Sequence, residues 1–356
     1  MSAPETTLPE SSLAAPPAVP AGDRWRRVNL GAGVGVAAAL AVLLTAEGGV
    51  LLPARVVLLA GLVVLAAGLL RGRARKFFSG PSAYVATASL VLLAVLAIFA
   101  TEISPQNPYD LRQLDILDGR QPPGSTNFDG SMTYHLGTDE QGRDILSGIL
   151  YGLRVSLSVS IFATLAAMAI GVVVGIYAAW AGGRTDAVLM RIVDFQLSFP
   201  SILVALMLMA AFGRGLDKIV IALVIVQWAY YARTVRGTAL SEARKEYIDA
   251  ARGLGLPARR IVFGHLLPNC IPPLIVISTV QVANTIVLES SLSFLGVGVP
   301  ITQPSLGLLI ANGYGYMLSG QYWMSMYPGI ALLAIVASIN MVGDRLRDTL
   351  NPRLTR

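Results

Sequence analysis

EYIDAARGLGLPARRIVFGHLLPN, residues 246–269, stands between two long apolar runs and is crowded with arginine, acid, small residues and prolines. Tyr247, Ile248, Ala251 and Leu254 recur at helical spacing, while Lys245, Asp249 and Arg252 stand at i, i+4 and i, i+3 on another face. Gly253 and Gly255 weaken the end of this short amphipathic helix. Pro257 suits the first turn of a second helix, and Pro268 is expected to stop that one before the next apolar run. The pattern predicts helix, tight turn, helix, lying across a membrane surface. Small residues at Ala250, Ala251 and Gly255 leave room for another surface to approach the backbone. The same pattern also fits a solvated connector whose charges only hold topology.

The flanking chain is built for a bilayer. Of 356 residues, 54% are apolar and only 13% charged, a balance that suits a membrane-spanning chain rather than a soluble domain. Runs long enough to cross about 30 Å of hydrocarbon fall at 29–46, 51–70, 82–101, 153–180, 188–212, 219–236, 270–291 and 327–343. Pro53 and Arg55 make the second the weakest. The first is read as a retained span, because it lacks a small-residue cleavage site and further spans soon follow. The expectation is an all-α polytopic membrane protein, preceded by a disordered cytoplasmic tail at 1–28 that is rich in Pro, Ala and Ser.

Charge orients the spans. With the amino terminus inside, eight crossings put RGRARK (71–76), the 181–190 linker, the 246–269 block and the carboxyl tail in the cytoplasm. The segment between 101 and 145 carries three arginines against eight acids and falls outside. This satisfies the retention of positive loops on the cytoplasmic side, so the net charge of +6 records orientation and not a nucleic-acid partner. The uncharged, aromatic and glycine-rich stretch 294–326 suits either a re-entrant segment packed against protein or an outer loop with an aromatic belt.

Several chemistries are excluded. The chain has no G-x-x-x-x-G-K-[ST], H-E-x-x-H or G-x-S-x-G motif, its single cysteine, Cys270, cannot form an internal disulfide, and its two histidines fall on opposite sides of the membrane. No catalytic centre, metal or cofactor is expected. A polar stripe inside the seventh run, Ser278, Gln281, Thr285 and Glu289, spaced three, four and four residues, lies within one helical arc facing a neighbour or an aqueous path. Glu289 is a functional candidate because an acid costs roughly 2.5 to 3.5 kcal/mol at mid-membrane. It either lines a passage or bonds a neighbouring helix. Gly171/Gly175 and Gly148/Gly152 form G-x-x-x-G pairs that permit close helix crossing. GTDEQGRD, residues 137–144, is expected to cap a helix through Asp139 or, as the alternative, to touch a delivery protein.

Asp249-Ala250-Ala251, then Gly255, His265 and Leu267-Pro268 resembles the EAA loop of the membrane subunits of bacterial ABC importers, with Asp249 where Glu is usual. HLGTDEQGRDILSGILYGLRVSLSVS from His135, DFQLSFPS from Asp194, LESSLSFLGVG from Leu288 and GDRLRDTLNPR from Gly343 are similar to the second, C-type permease of dipeptide, oligopeptide and nickel importers. Five separated motifs agree in order and spacing over residues 80–356. The resemblance implies a type I ABC importer permease bundle with a six-span core, plus two extra amino-terminal spans at 29–75. It implies a non-catalytic subunit of the bacterial inner membrane, both termini cytoplasmic. The implied partners are a second permease, two cytoplasmic ATPases and an extracytoplasmic binding protein. The loop 238–269 would be the coupling element, with Glu246, Asp249, Ala250, Ala251, Gly255, His265, Leu267 and Pro268 touching the ATPase. The expected cargo is a dipeptide or oligopeptide, the alternative nickel or another small solute. An ion-coupled carrier would need titratable groups in several spans, where Glu289 is nearly alone, and a membrane-embedded enzyme would need a convergent catalytic set.

Overall fold

The computed structural model describes residues 77–350 other than 79, 109 and 301. The expected tail at 1–28 and the two extra spans at 29–75 lie outside the described residues. What is described is a helical bundle whose only strands form one small antiparallel ladder, β1 (Ser125–Thr126) with β2 (Thr133–Tyr134). Among the described residues, five helices are long and apolar enough to cross a membrane, or six if one bent pair is a single span.

The first three elements are α1 (Pro81–Ile98), the short α2 (Ala100–Ile103) and α3 (Ile145–Ala181). At about 1.5 Å per residue, the 37 residues of α3 run well beyond the bilayer core. Its start is capped by Asp144, whose Oδ2 accepts from Ser147 N at 2.8 Å, not by Asp139 as the sequence suggested. Asp139 instead closes the preceding turn, accepting from Gln141 N at 2.8 Å and Arg143 N at 2.9 Å. Gly142, with φ of 76°, permits that turn, and a Cβ there would meet the Asp115 carbonyl oxygen. The segment 104–144 folds over this end of the bundle. Buried Asp118 accepts from Tyr134 Oη at 3.0 Å and Phe128 N at 2.8 Å.

Beyond α3 come α4 (Gly183–Leu197), α5 (Ser201–Phe212) and α6 (Leu216–Ala243). The run 188–212, read as one span, is in fact α4 and α5 meeting at 88°. Pro200 has no N–H to donate and forces Phe199 away from helical backbone. Arg236 pairs with Asp186 and Arg233 with Asp194, tying α4 to α6.

The chain then forms α7 (Glu246–Gly253), α8 (Ala258–Ile261), a π-turn (Val262–Leu266) and α9 (Leu267–Phe294), followed by α10 (Leu306–Tyr314) and α11 (Trp323–Leu350). Pro268 does not stop α8: Ala258–Phe294 is one helix of 37 residues. The π-turn is the reason. Leu267 N bonds Val262 O, one residue farther back than in an α-helix, and this wider turn accommodates a proline one position later. Within the 294–326 stretch α10 is packed against protein, while residues on either side of it, Leu295 and Leu318 among them, are exposed. Leu306, Gly307, Leu308 and Leu309 of α10 are buried, and Ser325 Oγ donates to Ile310 O at 3.1 Å.

Both glycine pairs make close crossings. A Cβ at Gly171 would stand 2.4 Å from Tyr231 Cβ, and one at Gly175 would stand 2.6 Å from Ala232 O, so α3 and α6 touch nearly backbone to backbone. Gly148 and Gly152 face α10 less tightly, a Cβ standing 3.3 Å from the Leu309 side chain and 3.1 Å from Leu306 N. Gly171→Val is therefore expected to separate α3 from α6 and cost about 1–3 kcal/mol or more. Thermal unfolding of the detergent-solubilised protein measures the loss; Gly237→Ala, where a Cβ meets nothing within 4 Å, serves as the tolerant comparison.

Candidate functional site

The 246–269 block is anchored from below. Ile248 and Ala251, on one face of α7, are buried against Ile261 and Leu266, with Trp180 from the end of α3 and Ala243, Leu256 and Val262 closing the sides. The apolar set read from the sequence splits between two faces. Ile248 is 0% exposed, whereas Tyr247 is 41% and Leu254 80% exposed. Ala251 points inward and so offers no approach to an outside surface, while Glu246, Asp249, Ala250 and Gly255 lie outside. Phe263, exposed on the π-turn, and Arg259 and Arg260 beside it belong to this outer surface too. The helical period could not assign them, because they follow the turn.

Gly255 has φ of 68°, and nothing stands near a Cβ placed there. Its requirement is the left-handed turn that closes α7, where Gly255 N bonds Arg252 O at 3.0 Å and Leu256 N bonds Ala251 O at 3.2 Å. Lys245 pairs with Glu242 at 2.6 Å, not with Asp249; Asp249 meets Arg252 at 3.5 Å. Arg252 also lies 5.6 Å over the Trp180 ring. Tyr247 Oη donates to Glu242 Oε2 at 2.7 Å and accepts from Asn269 Nδ2 at 3.0 Å. Burial, then the Glu242 carboxylate, push the Tyr247 hydroxyl up to about 12, so it remains a donor at neutral pH. His265, Leu267 and Pro268 are half-buried at the root of the long helix, with the His265 carbonyl bonded by Asn269 Nδ2 at 2.8 Å.

Inside the membrane the polar stripe on α9 turns toward the protein. Ser278 Oγ donates to Leu274 O at 2.7 Å, and Thr285 Oγ1 to Gln281 O at 2.6 Å. Glu289, 0% exposed, is caged by hydroxyls. Ser156 of α3 donates to Oε2 at 2.8 Å, Ser293 to Oε1 at 2.8 Å and Ser290 to Oε2 at 3.4 Å. Ser305 stands beside the carboxylate, and its Oγ accepts from Leu308 N at 3.1 Å, capping α10. One side chain thus ties α3 to α9, with the start of α10 alongside.

An open-sided cleft of about 330 Å³ lies on the neighbouring arc, between α5, α6 and α9. Of the four stripe residues only Gln281 reaches it. Asn284 and Ser291 of α9, Gln227 and Tyr230 of α6 and Ser201 of α5 complete its polar lining. Sequence reasoning missed these five. Asn284 and Ser291 repeat at the seven-residue spacing of one helix face, the signal that could have found them.

A bundle of apolar helices with a charged two-helix block held at one end and a polar cleft within it defines a membrane transport component. Residues 171–356 match the family of binding-protein-dependent transport system inner membrane components, and the chain belongs to that family. A Brucella suis protein, named provisionally as a peptide transport system permease, is 39% identical over 265 residues, covering 74% of this chain and 84% of its own length. The dipeptide transport system permease protein DppC of Escherichia coli is 36% identical over 278 residues, 78% of this chain and 91% of that one. The oligopeptide transport system permease protein OppC of Bacillus subtilis is 34% identical over 281 residues, 79% and 88% of the two chains. Among solved structures, an inward-facing MetNI methionine ABC transporter chain is similar at 20% identity and a TM-score of 0.48, covering 57% of this chain and 96% of that one.

The hydroxyl cage gives a direct expectation. Glu289→Ala strands several buried hydroxyls without their acceptor and is expected to lose about 1–3 kcal/mol of stability. Glu289→Gln keeps one acceptor oxygen and is expected to lose less, the two compared by melting temperature of the purified protein.

Proposed function

We propose that this chain is the permease subunit of an ATP-driven importer for dipeptides or oligopeptides. It would form the passage with a homologous second permease, take its energy from two cytoplasmic ATPases and receive cargo from an extracytoplasmic binding protein. The membrane would be a bacterial inner membrane, with both termini cytoplasmic. Residues 80–356 are the permease core and 238–269 the coupling loop. Hydrolysis belongs to the ATPase partners, since the chain lacks a phosphate-binding loop motif.

The observation that carries this reading is the two-faced α7. Its inner face is fixed by Ile248 and Ala251 to the helix that spans the membrane, and its outer face presents Leu254 and Asp249 to a partner. A helix held in this way turns a partner's movement into movement of a span. The peptide cargo is supported by the names of relatives that cover three quarters or more of the chain.

The chain purified from its own membrane is expected to retain two ATPase subunits and a second permease. Reconstituted with its binding protein, it is expected to take up alanine peptides with ATP and stop with vanadate. Leu254→Asp, placing a charge in the apolar contact, is expected to lower ATPase retention about tenfold or more, a loss of about 1.4 kcal/mol per factor of ten. Undiminished retention and uptake in that variant would contradict the docking surface.

A further inference from the structure

Behind the cleft, α3, α6 and α9 enclose a seam of polar side chains. Ser156, Ser160 and Thr164 repeat every four residues along α3, Gln227 and Tyr231 stand four apart on α6, and Ser278, Thr285 and Glu289 meet them from α9. All but Ser278 are buried. The bond from Ser156 to Glu289 closes one end of the seam, and Ser278 against Met168 Sδ at 3.3 Å closes the other. Within it three polar atoms have no partner in the protein: Ser160 Oγ, Gln227 Oε1 and Tyr231 Oη. A bare polar group is costly at membrane depth, where bulk water does not reach it.

Thr164 is the neighbour the three atoms share. It meets Thr285 at 3.4 Å, to which Gln227 donates, Tyr231 Oη stands beside it, and Ser160 lies one turn away on the same face of α3. Thr285 Oγ1 spends its proton on Gln281 O at 2.6 Å, so Gln227 must turn Nε2 toward it and leave Oε1 as a pure acceptor. Gln227 borders the cleft, but its Oε1 is sealed from it. A hydroxyl in a helix ordinarily returns its proton to a carbonyl one turn back, as Ser278, Ser291, Thr234 and Thr238 do. Ser160, 0% exposed, does not. Tyr231 is also fully buried, where phenylalanine would fill the same space with no hydroxyl to satisfy.

We infer that this seam is a binding site for ordered water, held among Ser160, Gln227 and Tyr231 and walled off from the cleft. The chemistry selects water. One atom can only accept and two hydroxyls can give or take, and a water molecule matches such a set with two donors and two acceptors on a single heavy atom. A buried water typically makes about three hydrogen bonds to groups that would otherwise be unsatisfied. Bonds to water change partners without being lost. The three helices can therefore shift against one another without stranding a polar group, and the site does not depend on what the cargo is.

The full-length protein, purified from its own membrane, tests this by the sign of a stability change. Removing a bare hydroxyl relieves a cost, whereas removing one that holds water takes away a bond the fold uses. Ser160→Ala and Tyr231→Phe are each expected to lower the melting temperature by a few degrees. The double variant is expected to lose less than the sum, because both groups hold the same water. A melting temperature that rises or stays level in either single variant, or a fully additive double variant, overturns the site.

X-ray footprinting reads the same site without a variant, because hydroxyl radicals formed from bound water oxidise the side chains beside it whatever their exposure. Tyr231 is expected to be oxidised several-fold faster than Tyr134, a buried tyrosine whose hydroxyl is taken by Asp118 at 3.0 Å. Oxidation of Tyr231 no faster than that of Tyr134 overturns the inference.

Discussion

The seat beneath α7 is the interaction on which the rest depends. Ile248 and Ala251 press onto Ile261 and Leu266, with Trp180 at the side. Full burial of an isoleucine or leucine contributes about 1.5–3 kcal/mol, so three such side chains offset a large part of the cost of ordering one short helix. The consequence is mechanical. α7 is seated on the first turns of Ala258–Phe294, which runs without a break to Glu289 and past the wall of the cleft. A surface block that would otherwise be a loop becomes the end of a lever about 55 Å long.

The other end of that lever is held by hydrogen bonds in place of hydrocarbon. Glu289 gathers hydroxyls from α3 and α9, and the glycine contacts at 152 and 307 bring those helices against the start of α10. A Cβ at Gly307 would stand 2.1 Å from Ser290 O. Between the two fixed ends the same helix presents Gln281 and Asn284 to the cleft, with Ser291 lining it just past Glu289. Rigid ends and an open middle are what a moving passage wall requires, and both follow from where small and polar residues fall along one helix.

Much of this was legible in the sequence. The apolar runs located every long helix among the described residues, and the first helix and the turn of the 246–269 block were correctly read, whereas its second helix is the start of the span. Its faces were not legible. α7 has apolar residues on two sides, and period alone cannot tell that Ile248 meets its own chain while Leu254 meets solvent. Pro200 and Pro268 were misjudged in opposite directions. The first breaks a run into two helices at 88°, while the second is absorbed because a π-turn precedes it. Both outcomes depend on backbone hydrogen bonds that composition does not encode. The stripe on α9 was found with its side left open between a neighbour and a passage: Thr285 and Glu289 face protein, and the cleft belongs to the adjacent arc. Gln227 stood on a different run with no periodic signal of its own.

Replacing residues 262–265 with Gly-Ser-Gly-Ser tests the lever most directly, because it keeps Ile261 and Leu266 under α7 but removes the rigid π-turn joining it to α9. The account predicts a complex that retains its ATPases and hydrolyses ATP while cargo uptake per ATP collapses. Uptake per ATP equal to that of the unaltered complex would contradict it.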